Sequence, residues 1–385
     1  MKKMSIPLYI SRTFVFLLLF ACRCGQTGGI VISVENPLPL VRRDAVVSIP
    51  FRQIQDRIEE PIKHLRVLDM SGEEIISQIM DENEDGKPDV LLFQCFFGPK
   101  MTRLFRVKAT NSPGKEWNSR VHTAFVPHGM EDFNWENDRI GYRFYGQARL
   151  VEGVSSGIDV WCKRVPYRMV EKWYDPNINY HEDRGEGADY YPVKATRGCG
   201  GTSLLAGDSL VSSGPFIKWR VVAEGPIRTV FQLEFPELVI GGKTLSEVKR
   251  VTMDAGSHLS RFELTYQSED CQSLPFVIGI ADHKESIYTF DEERSLMYTW
   301  EPLGDGKGEL GCAVIMEDAS CISDFRHLQG HYMLIAEAEP GTPVVYFAGA
   351  SWSEYGDVRN AEDWDAYLDA WYRKMENPLI VKYNE

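Results

Sequence analysis

Acid–base groups, cations and flexible turns crowd one stretch of the chain. Residues 173–201 (WYDPNINYHEDRGEGADYYPVKATRGCGG) carry His181, Arg184, Glu186, Asp189, Tyr190, Tyr191, Lys194 and Arg197, with glycines at 185, 187, 198, 200 and 201. Histidine and tyrosine suit proton transfer, arginine grips a carboxylate through two parallel hydrogen bonds, and glycine permits sharp turns. Apolar periodicity is nearly absent, so the stretch reads as a long loop. Loops of this length in compact domains are usually functional or disordered. The competing reading is an ornate surface loop. Two further polar clusters could meet it in space. Residues 132–139 (DFNWENDR) precede a strand, and Asp282-His283-Lys284 follows the apolar run 276–281. His283 alone, at a strand end, serves structure as readily as catalysis.

A second oxygen-rich run lies at residues 81–89 (DENEDGKPD). Asp81, Asn83, Asp85 and Asp89 fall at alternating positions, with Gly86 available for a turn. Such a run suits a structural Ca²⁺, which takes about six to eight oxygens. The bidentate Glu of such loops is replaced by Leu92, and the alternative is an acidic hairpin turn. Three other motifs fail on context. Residues 153–157 match the GxSxG pattern around Ser155, but the next residues, Ile158 to Trp161, read as strand where a nucleophile elbow needs a helix. Gly241-Gly-Lys243-Thr244 ends like a phosphate loop, yet Glu237 stands where its first glycine is required. His327 and His331 are four apart, but no Glu follows His327 and the context is a loop entering a strand.

The elements that must position these groups are strands. Residues 31–34, 45–50, 65–69 and 90–97 are β-rich runs broken by Pro, Gly and Asp, which predicts a small N-terminal β-sandwich over residues 30–112. Residues 111–115 (NSPGK) have linker composition. From residue 116 to 385 the pattern continues strand after strand. Ile140, Tyr142 and Phe144 alternate with polar or small neighbours, as do Ile217, Trp219 and Val221, and Phe262, Leu264 and Tyr266. Period two means one buried face and one wetter face. Pro340-Gly341-Thr342 between two apolar runs signals a hairpin. No βαβ rhythm appears, so the expected class is all-β, with a long antiparallel sandwich as the second unit. One helix is expected near the C-terminus. Asn360 caps it, Trp364, Tyr367, Leu368 and Trp371 form one apolar stripe, and Asn377-Pro378 stops it.

Composition narrows the function classes. The 385 residues carry 42 Lys plus Arg against 56 Asp plus Glu, a formal net charge of −14. That balance argues against a nucleic-acid partner, which needs clustered cations. The 17 Tyr, 19 Phe and 9 Trp suit both a β-rich core and a sugar-stacking surface. Residues 1–22 read as an export signal. Lys2 and Lys3 precede the apolar run 14–21 (FVFLLLFA), which is too short to span a bilayer needing ~20 residues. It ends in Leu19-Phe20-Ala21-Cys22, which resembles a bacterial lipobox with Cys22 as the lipidated residue. The alternative is a plain secretory peptide. The expected address is the periplasmic face of the envelope, at the outer membrane, with a lipid anchor as the membrane contact. Besides Cys22 and Cys24, six cysteines remain, widely spaced with no CxxC, so no thiol-based metal or redox motif is expected.

The blocks DFNWENDRIGYRFYG, SGIDVWCKRVPYRMVEKWY, YHEDRGEGADYY, RGCGG and EDWDAYL resemble a family catalogued as domain of unknown function forty-eight sixty-one, found in exported proteins of polysaccharide-degrading bacteria. The resemblance covers nearly the whole chain beyond the signal. It implies a galactose-mutarotase-like supersandwich behind a small N-terminal β-domain. It also implies kinship with an oligosaccharide dehydratase of ulvan breakdown. One departure is His128 before the WENDR block, where the family pattern has Arg, so an anion contact there is in doubt.

Removing water across C4–C5 of a terminal uronate needs three things. A cation must hold the carboxylate, a base must take the C5 proton, and an acid must protonate the departing hydroxyl. The resulting assignment makes His181 the base and Tyr190 or Tyr191 the acid. Arg184 and Arg197 clamp the carboxylate, His283 and Lys284 assist, Trp135 stacks on the sugar and Asn137 contacts it. No cofactor is required beyond the possible Ca²⁺. Two other classes compete: a mutarotase-like or hydrolytic enzyme using paired carboxylates, and a glycan-binding lipoprotein without catalysis.

Overall fold

The computed structural model describes residues 29–58, 64–127, 130–152, 157–269 and 271–383. The export signal with Cys22, His128 and Ser155 lie outside the described residues.

The chain is all-β, with antiparallel sheets throughout. In the N-terminal unit, a five-stranded sheet containing Ile30–Glu35, Thr102–Thr110 and His64–Asp69 faces a three-stranded sheet of Arg42–Pro50, Val90–Phe97 and Ser77–Met80. Alternate side chains of both sheets meet between them, with Ile32, Val34, Ile49, Leu91, Phe93, Phe105 and Val107 at 0% exposure. This is the expected small sandwich, closed by apolar burial.

The larger unit is a sandwich of two broad layers. One layer is a nine-stranded sheet. The other consists of two five-stranded sheets, joined where Ile158 forms a parallel bridge to Gly198. The chain needs glycine at this join: Gly198 has φ +60°, and a Cβ there would meet the Ile158 carbonyl oxygen at 2.0 Å. Between the layers lies one continuous core that includes Trp135, Tyr142, Phe231, Phe262, Tyr266, Phe276 and Tyr346. The strand Lys243–Asp254 shows how strictly alternation is kept. Leu245, Val251 and Met253 point inward, and so do Glu247 and Lys249. Those two charges form an ion pair inside the core, with Thr202 and Ser213 donating to Glu247. Pairing and hydrogen bonding make such burial tolerable.

The C-terminal helix Ala361–Glu376 is capped by Asn360, whose side-chain oxygen accepts from the Asp363 N–H at 2.8 Å. Its stripe lies on the outer face of the nine-stranded sheet. Trp364 and Leu368 are fully buried against Tyr298, Trp300, Ile315 and Phe347. After Pro378 the chain leaves this layer. Strand Ile380–Tyr383 pairs with Ile30–Glu35 in the N-terminal sheet, with Ile32 opposite Tyr383. The last strand therefore joins the first unit, although the sequence pattern runs it with the second.

The segment around Pro340-Gly341-Thr342 is a crossover, not the expected hairpin. His331–Ala338 pairs within a five-stranded sheet and Val344–Trp352 within the nine-stranded one. Both strands are buried along nearly their whole length. Each finds neighbours on both sides in its own layer, so turn chemistry alone did not decide the pairing. The strand Lys218–Glu224 departs as well. Trp219 is 44% exposed and Ile217 51% exposed, because this strand ends the nine-stranded sheet.

Trp364→Ala removes the anchor between helix and sheet. It should lower the unfolding free energy by about 3–5 kcal/mol, read as a fall in the urea midpoint with little change in slope.

Candidate active site

Strand pleating sends every second side chain of one five-stranded sheet to its outer face. On strand Asp132–Asn137 these are Asp132, Asn134 and Glu136, and on Gly141–Phe144 the outward residue is Arg143. On Ile158–Lys163 they are Asp159, Trp161 and Lys163, and Asp189 stands opposite Trp161. Arg143 lies at the centre. Its Nε donates to Asp159 at 2.8 Å and its Nη2 to Asp189 at 3.0 Å, while Nη1 is 3.5 Å from Asp132. Arg149 reaches the same Asp132 at 3.4 Å. The Arg143, Asp132, Asp159 and Asp189 side chains are all at least nine-tenths buried.

Burial pushes the Asp159 and Asp189 carboxyls up, against the pull of Arg143. Burial also opposes the charge of Arg143, but the surrounding carboxylates outweigh it and hold its pKa above the ordinary value. Three rings flank the guanidinium, at 4.8 Å (Tyr145), 5.1 Å (Trp161) and 5.6 Å (Tyr180).

The polar segment supplies the roof over this network. Trp173, Tyr174 and Tyr180 stack on Trp161 with centroids 5.2, 5.3 and 5.4 Å away. The Tyr174 hydroxyl donates to Asp132 at 2.9 Å. Beside this, Glu136 accepts from the Met169 and Val170 N–H groups at 2.9 Å each, and from Lys163, which fixes the start of the short helix Val170–Trp173.

His181 sits at the edge of the roof. Its ring packs on Tyr180 at 4.5 Å, and Nδ1 lies 3.0 Å from the Asp189 carbonyl oxygen. A carbonyl only accepts, so Nδ1 carries the proton and, in the neutral ring, Nε2 keeps its lone pair. The imidazole is 61% exposed, so that lone pair is open to a ligand.

The other residues named from sequence go elsewhere. Arg184 is exposed on the same segment. Tyr190 is half-buried, beneath Lys307 at 4.8 Å and edge-on to Trp352 at 6.1 Å. Tyr191 is 3% exposed and belongs to the core, which removes it as a proton donor to substrate. Arg197 is also buried. Its backbone N–H donates to His331 at 3.0 Å, its guanidinium to Ser203 at 2.9 Å and to the Thr202 carbonyl at 3.3 Å, and burial lowers its pKa to about 10. Arg184 and Arg197 therefore form no joint carboxylate clamp. Both nitrogens of His283 are engaged, Nδ1 with Glu301 at 2.8 Å and Nε2 with the Pro192 carbonyl at 3.0 Å. Burial lowers its proton affinity, but Glu301 more than compensates, so its pKa is raised. It acts as a clasp on the polar segment. Lys284 is 92% exposed and its nearest charge is Glu285.

Trp135 cannot stack on a sugar. It is 1% exposed, lies between Tyr142 and Phe144, and donates to Ser260 at 3.1 Å. Asn137 builds a turn. Its amide donates to the Asp254 and Ser257 carbonyls at 2.7 Å each and accepts from the Arg139 N–H at 2.8 Å. Neither faces a ligand, because residues 132–137 form a strand whose odd members face inward.

The acidic run does not fit Ca²⁺. Asp81 accepts from the Asp85 and Gly86 N–H groups, Asn83 from Asp85, Asp85 from Lys87, and Asp89 from Glu82 and Asn83. The oxygens turn toward the loop's own backbone N–H groups, and Asp81, Asp85 and Asp89 do not converge on one point. Among the described residues, no group of three or more His, Cys, Asp or Glu could hold a metal. Sequence reasoning also missed His122, which ties strand Val121–Val126 to Glu224 at 2.8 Å across the sheet edge. A lone His in a strand carries no signal of that partner.

The chain matches the family described as "Domain of unknown function (DUF4861)" over residues 34–381. It belongs to that family. "Uncharacterized protein P7" of Formosa agariphila is 31% identical over 370 residues, covering 91% of this chain and 92% of that protein. Two solved structures from Enterococcus faecalis are similar at 9% identity. One is described as a protein in glycosyl hydrolase family 38 (TM-score 0.49) and the other as an alpha-mannosidase (TM-score 0.48). Each covers 93% of this chain, and the chain spans 48% and 46% of them, about half their length.

Arg143→Met leaves three carboxylates buried without their central cation, which should cost about 3–5 kcal/mol at neutral pH. Asp159 and Asp189 bind protons more tightly folded than unfolded. The pair therefore favours folding at low pH and loses that contribution as pH rises through their folded values. The variant's deficit in urea unfolding should shrink as pH falls. Millimolar Ca²⁺ should leave the melting temperature of the unmodified chain unchanged, because a ligand of the native state alone would raise it.

Proposed function

We propose that this family member acts on carbohydrate, as a carbon–oxygen lyase that removes water from uronate-ended oligosaccharides. One observation carries the catalytic part. His181 is held by Nδ1 on the Asp189 carbonyl, leaving Nε2 exposed at the rim of the charged roof. That is the form a general base needs.

In this reading Nε2 of His181 takes the C5 proton. The electron pair of the broken C–H bond becomes the C4=C5 double bond, and the C4–O bond breaks. Tyr190 protonates the departing hydroxyl, which leaves as water. Burial keeps the Tyr190 pKa above its ordinary value, so the phenol holds its proton at neutral pH. The exposed Arg184 pairs with the substrate carboxylate and stabilises charge developing at C5. A proton returns from imidazolium to tyrosinate through solvent, which closes the cycle. The same reading keeps the chain at the periplasmic face of the envelope, with a lipid on Cys22. Cys22→Ser should release it into the soluble fraction.

Glycan binding without catalysis is the second reading. It is favoured by Arg197 and His283, whose polar atoms are occupied by the protein itself. The two readings separate in one assay. Elimination creates a double bond conjugated to the carboxylate, seen as new ultraviolet absorbance with loss of one water by mass. The unmodified chain should give both signals on uronate-ended oligosaccharides, and His181→Ala should slow them by about 100-fold or more. Full activity in His181→Ala removes the proposed base, and no signal from the unmodified chain leaves binding alone.

A further inference from the structure

The outer face of the nine-stranded sheet lies on the opposite side of the sandwich from His181. Two cavities open there. One of about 1200 Å³ is bounded by Phe51 and Arg52 of the N-terminal unit and by Arg250 and Arg261 of the sheet. The other, of about 530 Å³, runs beneath the C-terminal helix. Arg228, Asp254, Ser257, Phe347 and Trp371 line both, so the two are compartments of a single groove. Small-ligand sites are typically about 300–1000 Å³, so this groove has room for an extended chain.

The walls indicate what kind of chain. Trp371 stands where the compartments join. It is half-buried, and its ring meets Phe347 at 4.5 Å and 63°. The charged groups cancel: five basic and five acidic side chains line the larger compartment. Half of them, the five on the sheet, hold one another in fixed positions. Arg228 grips Asp254 with two bonds of 2.6 and 2.8 Å. Glu263 lies 2.9 Å from Arg261 and 3.6 Å from Arg250. A polyanion would need a surplus of cations, and a lipid tail would need apolar walls. Rigid, mutually neutralised donors and acceptors around an aromatic ring suit a ligand rich in hydroxyls with apolar ring faces.

We infer that this groove is a glycan-binding site, separate from His181, in which an oligosaccharide lies across Trp371 and exchanges hydroxyl hydrogen bonds with the Arg228–Asp254 pair. The inference shares the carbohydrate reading of the proposed function but not its catalytic claim.

Calorimetry on the full chain tests it with four hexasaccharides: β-1,4-glucan, β-1,4-mannan, β-1,4-xylan and α-1,4-galacturonate. At least one should bind, with little change between low and physiological salt. Trp371→Ala should weaken that binding ~10-fold, and Trp371→Phe, which keeps a ring, should retain most of it. Circular dichroism checks that both variants are folded. The inference is overturned if none of the four binds, if Trp371→Ala binds as tightly as the unmodified chain, or if affinity falls steeply with salt. The readout is binding of intact sugar. Tryptophan-dependent binding, with no elimination from uronate-ended oligosaccharides, therefore counts against the lyase reading alone, and elimination with tryptophan-independent binding counts against the groove alone.

Discussion

A buried guanidinium among three carboxylates organises the proposed catalytic face. Arg143 is fixed by strand register next to Asp159, and Asp132 from the other adjacent strand and Asp189 from the next strand but one come within 3.5 Å. Charges taken out of water require both partners and a cover. The cover is the aromatic part of the polar segment, whose Trp173, Tyr174 and Tyr180 close over Trp161. Because Tyr180 is pinned there, its neighbour His181 is set at the rim, where Asp189 offers its backbone carbonyl. The exposed imidazole is thus a consequence of roofing a buried charge. Its orientation is inherited from a network of charges at least nine-tenths buried.

The second half of the polar segment has a different fate. After Asp189 it turns into the sandwich. Tyr191 enters the core, Pro192 is clasped by His283, and Arg197 is held by His331 and Ser203. Gly198 then brings the backbone against Ile158, where side chains do not fit. One continuous stretch of polar sequence therefore does two jobs, a roof outside and a seam between two sheets. That division explains why Tyr191 and Arg197, close in sequence to His181, do not join it at the rim.

The fold was largely legible from period-two patterning. Phe262, Leu264 and Tyr266 face the core as their alternation requires, and Trp364 and Leu368 lie beneath the helix as their spacing requires. Edge strands escaped this logic. Ile217 and Trp219 alternate correctly, but no opposing layer covers them fully. The functional residues were less legible, because sequence shows residue type but not which face a side chain takes. Trp135 and Asn137 follow the inward parity of a strand whose sequence reads as a polar cluster ahead of one, and Arg143 carries no mark in sequence beyond its outward parity. Hydrogen bonds to backbone, such as those absorbing Asp85 and Asp89 or anchoring His181, depend on turn geometry that composition does not encode. The C-terminal strand's return to the first sheet is a long-range pairing, which local pattern cannot locate.

The two layers thus offer two surfaces, an acid–base rim on one and a charge-balanced groove on the other. The rim depends on the tautomer imposed on His181 by Asp189. Long-range ¹H–¹⁵N correlation NMR on imidazole-labelled protein at alkaline pH reads that tautomer directly. The expected spectrum has the His181 proton on Nδ1, with the Nε2 shift of an unprotonated nitrogen. A proton on Nε2, or the averaged shifts of a freely exchanging ring, would contradict it.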